Sequence, residues 1–181
     1  MIKKIAVAFL SLVFTFSFIS PGLADTVQRP SYFLIEGHLL VQTISNINSL
    51  LTPLKLKRNP GLEKKLGDQY VRYLIVNTSN LNQYVKPLVF FVTYGTPSSM
   101  KLKPAERSGI LAAYQLAYGK LPILESDWAD VIRISKGVKP ENLSLQAEQR
   151  AKPEFRKAYG REAVLAGDQT ALNIIAYGLY P

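Results

Sequence analysis

Ala117-Tyr118-Gly119-Lys120 recurs as Ala158-Tyr159-Gly160-Arg161, a shift of 41 positions, and this recurrence decides how the second half of the chain is read. At the same shift Asp127 meets Asp168, Val131 meets Leu172, Ile134 meets Ile175, Gly137 meets Gly178 and Pro140 meets Pro181. Ala105-Glu106 matches Ala147-Glu148 if the second copy lacks one residue. Recurrence at such a period marks a repeated supersecondary unit. Residues 104–181 therefore read as two copies, 104–140 and 144–181.

Each copy predicts two helices. Pro104 suits a first helical position, and Ile110, Tyr114, Ala117 and Tyr118 keep helical spacing until Gly119 supplies the left-handed end. After Leu121-Pro122, Ser126 or Asp127 caps a second helix carrying Trp128, Val131, Ile132 and Ile134, closed by Gly137. In the second copy a helix from about Ser144 to Tyr159 carries Leu145, Ala151, Phe155 and Ala158, with Pro153 expected to kink or restart it. Leu172, Ile175, Ala176 and Leu179 then form one buried face. Gly119, Gly160, Asp127, Asp168, Gly137, Gly178 and Trp128 are the positions that define the unit, and the two copies are expected to superpose as antiparallel helix pairs.

Outward from the repeat, residues 25–103 also read as mostly helical and markedly basic. Leu40, Ile44, Ile47 and Leu51 make a stripe that predicts one amphipathic helix over 33–52, ending before Pro53. Asn59-Pro60-Gly61 reads as a loop, followed by a helix from about Leu62 to Val76 with Leu66, Tyr70, Tyr73 and Leu74 inward. Pro87 would open a short apolar helix through Tyr94, stopped by Gly95. The β-formers from Val89 to Val92 keep a strand open as the alternative. The fold class expected is all-α.

The N-terminus reads as an export signal. Lys3 and Lys4 precede an apolar run from Ile5 to Ile19, Ser20-Pro21-Gly22 breaks it, and Gly22-Leu23-Ala24 places small residues before a cleavage point at Asp25. Residues 1–24 are then a signal peptide, the protein is expected to be secreted or held at the cell envelope, and no later run is long enough to span a membrane.

Among 181 residues, 48% are hydrophobic and 19% charged, with one His and no Cys. Disulfide frameworks, thiolate nucleophiles, zinc–thiolate sites and multi-His metal sites are excluded, and no metal or cofactor is expected. The net charge is +9, falling to +7 once Lys3 and Lys4 leave with the signal. Residues 25–104 hold 10 basic and 4 acidic side chains, whereas 105–181 hold 10 and 9. The excess positive charge thus belongs to the first half of the mature chain.

Tyr94-Gly95-Thr96, Ala105-Glu106-Arg107-Ser108-Gly109, Tyr118-Gly119-Lys120-Leu121-Pro122, Asp127-Trp128, Gly137 to Pro140 and the closing Ile175 to Pro181 together resemble a tandem helical module. It is one found in exported proteins of small-genomed candidate-phylum bacteria. The likeness covers about residues 87–181. The chain departs from it at Gln169, where the first copy has Trp128, at Ala163, where the first has Pro122, and at Ala105, where Gly is usual. The resemblance implies an α-helical exported module and no activity.

For catalysis, His38 has no second imidazole or thiol to join it. Asp127 with Asp130, or Glu125 with Asp127, would suit glycoside hydrolysis only as a facing pair, and Asp127 recurring at a helix start reads first as a cap. Trp128, Tyr114, Tyr118 and Phe155 lie on packing stripes rather than in an open stacking groove. Tyr177 and Tyr180 are expected to be exposed. Lys55, Lys57, Arg58, Lys64 and Lys65, with Glu63 the sole acid among them and Lys101 and Lys103 nearby, form the candidate site for polyanions. Its partners would be anionic envelope polymers, with nucleic acid a weaker alternative and a small carboxylate-based envelope hydrolase the other class.

Overall fold

The computed structural model describes residues 32–75 and 82–179, whose regular elements are all helices, with no strand among them. The export signal, the segment 76–81, Tyr180 and Pro181 lie outside the described residues. In chain order the helices are α1 (Tyr32–Gln42), α2 (Asn48–Leu54), α3 (Pro60–Leu66), α4 (Asn82–Tyr94), α5 (Pro104–Tyr118), α6 (Glu125–Ser135), α7 (Leu145–Tyr159) and α8 (Asp168–Tyr177). A π turn (Gly67–Val71) and a 3-10 turn (Arg72–Ile75) continue α3. No helix among these is long and apolar enough to cross a membrane.

The single helix expected over 33–52 is two. Thr43 Oγ1 donates to Leu40 O at 2.6 Å, Ser45 Oγ to Gln42 O at 3.1 Å, and Asn46 Oδ1 accepts from Asn48 N at 3.0 Å. These short polar side chains offer the backbone partners that compete with the helical ladder, and the chain turns between Thr43 and Ile47. Of the expected stripe Leu40 and Leu51 are buried and Ile44 and Ile47 only half-buried, while Leu50 and Leu54 are buried beside them. That burial also carries α2 through Pro53, and Lys55 ends it in the left-handed region with φ 55°.

Asn59 is a cap, not a loop residue. Its side chain accepts from Leu62 N at 3.0 Å, Pro60 takes the first helical position, and α3 starts there. Leu66 and Leu74 point inward as expected, but Tyr73 is 55% exposed, because the π turn adds a residue to the register before it. The π and 3-10 turns leave carbonyls off the α-ladder, and α5 takes up one from each. Ser108 Oγ donates to Tyr70 O at 2.9 Å and Gln115 Nε2 to Leu74 O at 3.1 Å.

Residues 87–94 are helix, and α4 begins at Asn82 rather than at Pro87. Burial of Leu88, Phe90, Phe91 and Val92 outweighs the one ladder bond that Pro87 cannot donate. Gly95 stops it with φ 74°. Beyond it, Arg107 is buried and donates to the carbonyls of Val92, Thr93, Ser99 and Leu102. The guanidinium thus meets the negative end of α4, and burial lowers its pKa to about 10.

Pro104, Ser144, Gly119 and Gly160 sit at the helix ends anticipated for them. The helix α7 runs through Pro153 as one element, with Ala147, Ala151 and Phe155 buried. Leu145, at 71% exposed, and Ala158 lie outside the stripe expected of them. In α8 Ala176 is buried, as is Leu179 just beyond it, whereas Leu172 and Ile175 are half-buried. Trp128 is fully buried, its ring centroid 5.6 Å from that of Phe91. Tyr177 is fully buried too, against the exposure expected of it, and the reason is polar. Its hydroxyl accepts from Ser144 N at 3.1 Å and donates to Glu148 Oε1 at 3.0 Å, tying the end of α8 to the start of α7.

The core is continuous across position 104, running from Leu40 and Leu50 through Phe91, Leu111 and Trp128 to Tyr177. The helix α1 lies chiefly on α6, and α8 chiefly on α7. The packing of the two copies is therefore not equivalent, although the links within them are.

Candidate functional site

The basic residues lie along one stretch, from the left-handed end of α2 through the link and into α3. All five of Lys55, Lys57, Arg58, Lys64 and Lys65 are exposed. Two are already engaged. Arg58 grips Glu63 with both nitrogens, Nε to Oε1 and NH2 to Oε2, each at 3.1 Å, and stacks 5.9 Å above the Phe90 ring. Lys64 Nζ meets Asp68 Oδ2 at 2.7 Å, one helical turn on, and holds that carboxyl below its ordinary range. Lys55, Lys57 and Lys65 have no carboxylate partner among the described residues. Lys101 and Lys103 are exposed on the stretch before α5.

Glu63 is buried, and Tyr94 shares it. The Tyr94 hydroxyl donates to Glu63 Oε1 at 2.7 Å and accepts from Asn59 N at 2.7 Å, so α4 fixes the start of α3. Burial, the Glu63 carboxylate adding to it, pushes the phenol up to about 12. Neither partnership was foreseen. The only sequence signal was Glu63 standing alone among cations.

Between α3, its π and 3-10 continuation and α4 lies a groove of about 580 Å³. Val71, Ile75, Val85, Val89 and Phe90 supply apolar lining, and Arg58, Lys64, Arg72 and Lys86 the positive charge. The structure brings Arg58 and Lys64 of the expected five to this groove, and Lys55, Lys57 and Lys65 do not line it. Arg72 and Lys86 were not singled out in the sequence, because their neighbours in the chain are not basic.

His38 lies elsewhere, on α1 facing α6. Its Nδ1 is 2.5 Å from Glu125 Oε1, and Gln42 Nε2 donates to its Nε2 at 2.6 Å. Both ring nitrogens are thus occupied in joining the helices. The candidate carboxylates are occupied as well. Asp127 accepts from Lys120, Ile123 N, Leu124 N and Tyr114, with Tyr114 Oη at 3.0 Å. Burial favours its neutral form, and these bonds outweigh that and hold it below its ordinary pKa. Asp130 accepts from Glu141 N at 2.7 Å and from Asn142 through Nδ2 at 2.7 Å and N at 3.2 Å. Burial still raises its pKa despite those bonds. Among the described residues no group of three or more acidic or imidazole side chains is placed to hold a metal ion. Comparison with protein-family models, with curated proteins and with solved structures returns no match.

Proposed function

We propose that this chain is an exported, non-enzymatic helical module that contacts anionic polymers of the cell envelope through its basic N-terminal half. The observation that carries the reading is that Lys55, Lys57 and Lys65 stand exposed along one short stretch with no carboxylate partner among the described residues. Attraction of this kind needs charge density and no shaped pocket. The export step rests on Lys3, Lys4, the apolar run to Ile19 and the small residues before Asp25. The hydrolase reading draws no support from Asp127 and Asp130, whose oxygens are taken up in holding the turns around α6.

Duplex DNA serves as a polyanion of known charge spacing. The three lysines without a carboxylate partner among the described residues predict a slope of log affinity against log salt near about −2.7, and all five cations about −4.5, at about −0.9 per neutralised phosphate. Glutamine at Lys55, Lys57 and Lys65 should flatten that slope and leave helicity unchanged. The same change at Lys120, Arg133 and Arg161 should do much less. Equal loss from both sets, or no binding to DNA or isolated envelopes at low salt, would refute the patch. Surface-recovered protein should begin at Asp25, and an intact Met1 there would refute the export step.

A further inference from the structure

The groove beside α3 has a feature that contact with a polymer does not call for, namely a continuous apolar lining. Val71 and Phe90 are buried beneath it and Val85 and Val89 are half-buried along it. One cation stands on each wall with no carboxylate within ion-pair distance among the described residues, Arg72 on the 3-10 turn and Lys86 on α4, although Asp68 feels the charge of Arg72 as well as that of Lys64. The remaining charges at the mouth cancel in the pairs Arg58–Glu63 and Lys64–Asp68. A ligand therefore meets an apolar lining and a net charge of two positive groups.

The wall itself is unusual. Residues in π conformation make up well under 1% of globular proteins and cluster at functional sites, and this π turn forms one side of the groove. It is not loose. Ser108 of α5 holds the Tyr70 carbonyl of the π turn and Gln115 the Leu74 carbonyl of the 3-10 turn that follows, and Gly67 lets the π turn approach α4 so closely that an added Cβ would stand 3.3 Å from Val89 Cγ2. A volume of about 580 Å³ lies within the range of small-molecule sites.

We propose that this groove binds a single anionic amphiphile, one apolar chain lying on Val71, Val85, Val89 and Phe90 with its phosphate or carboxylate head between Arg72 and Lys86. Charge complementarity selects the head and the lining selects the chain. The site does not depend on the polyanion contact, which uses Lys55, Lys57 and Lys65 outside the groove.

The test is calorimetric titration of the full chain with dodecyl phosphate kept below its micelle concentration. One equivalent should bind, dodecyl maltoside and inorganic phosphate should each bind at least about tenfold more weakly, and Arg72→Gln with Lys86→Gln should cost about tenfold or more, the scale of a lost charged hydrogen bond. Val89→Trp should fill the groove and abolish binding while the DNA slope stays unchanged, which separates this site from the polymer contact. The Arg72→Gln and Lys86→Gln variant keeps the test valid if Val89→Trp fails to fold, since both side chains are exposed. Equal affinity for the neutral and anionic detergents, indifference to the charge replacements, or binding to anionic vesicles without binding to the monomer would overturn the proposal.

Discussion

The two links that carry the recurrent sequence, 119–127 and 160–168, share their backbone bonds and a cation on the Asp, though only Asp127 also accepts from a Tyr hydroxyl, and the helices they launch live in different surroundings. Gly119 and Gly160 end their helices with φ 68° and 67°, each N–H reaching the carbonyl four residues back at 2.8 Å. Asp127 accepts from the N–H groups of Ile123 and Leu124, and Asp168 from those of Val164 and Leu165. Lys120 closes the first link onto its Asp, and Arg161 the second. Beyond that point the copies part. The helix α6 is buried on nearly every side because α1 covers it, and Trp128, Ala129 and Ile132 are apolar. At the same shift α8 carries Gln169, Thr170 and Asn173, and Gln169 donates to Asn173 at 3.0 Å on an exposed surface. A local motif fixes the turn. Which helix is covered next is decided by a segment more than eighty residues away in the chain.

That comparison can be broken most easily at its apolar end. Trp128→Ala should cost about 3–5 kcal/mol in denaturant unfolding, the range for a buried large aromatic. Gln169→Ala, its counterpart, should stay within about 0.5 kcal/mol. Gly37→Ala tests the covering helix directly. Its Cβ would stand 2.5 Å from Glu125 O and 3.1 Å from Ala129 N, both backbone, so α1 must lift from α6. About 1–3 kcal/mol is expected for such overpacking. Similar losses at Trp128 and Gln169 would show that the copies are equivalent after all.

The links should behave oppositely, as equals. Alanine at Gly119 or at Gly160 meets nothing within 4 Å, so only the left-handed backbone is penalised, at about 1–2 kcal/mol for either. A difference between the two beyond about 0.5 kcal/mol would mean that the links are not the same device.

What was legible in the sequence was local. Pro104 and Ser144 at helix starts, Gly119 and Gly160 at helix ends, and Asp127 and Asp168 against free N–H groups follow from side chains acting within a few residues of themselves. What was missed depends on distant partners. The exposure of Tyr73 follows from a π turn and a 3-10 turn that α5 stabilises through Ser108 and Gln115. The burial of Tyr177 follows from Ser144 and Glu148, about thirty positions upstream. The candidate site divides in the same way. The run from Lys55 to Lys65 is a contiguous signal, whereas the groove needs Arg72 and Lys86, brought together only when the π turn packs on α4. Two departures are local: Thr43, Ser45 and Asn46 break the helix that the Leu40, Ile44, Ile47 and Leu51 spacing predicts, and Asn59 caps α3 where Asn59-Pro60-Gly61 reads as a loop.

The smallest expected difference between the copies lies in acid. Asp168 is held far below its ordinary pKa, first by the two bonds from Arg161 and then by the N–H groups of Leu165 and Val164, with burial opposing. Asp127 is lowered as well, but there burial is the largest influence and works against Lys120 and the N–H groups. A carboxyl whose folded pKa is depressed contributes stability that is complete above its unfolded value, about 3.9, and is lost as pH falls through the folded one. Unfolding free energy measured by urea from neutral pH downward should therefore fall below about pH 5 in the parent chain. Asp168→Asn should remove the larger share of that fall and Asp127→Asn the smaller. Arg161→Lys, which surrenders the two-pronged grip on Asp168, should move the acid midpoint to higher pH, whereas Lys120→Arg should leave it in place or lower it. A larger effect from Asp127→Asn would mean that the bonds from Lys120, Tyr114 and the N–H groups overcome burial by more than Arg161 lowers Asp168.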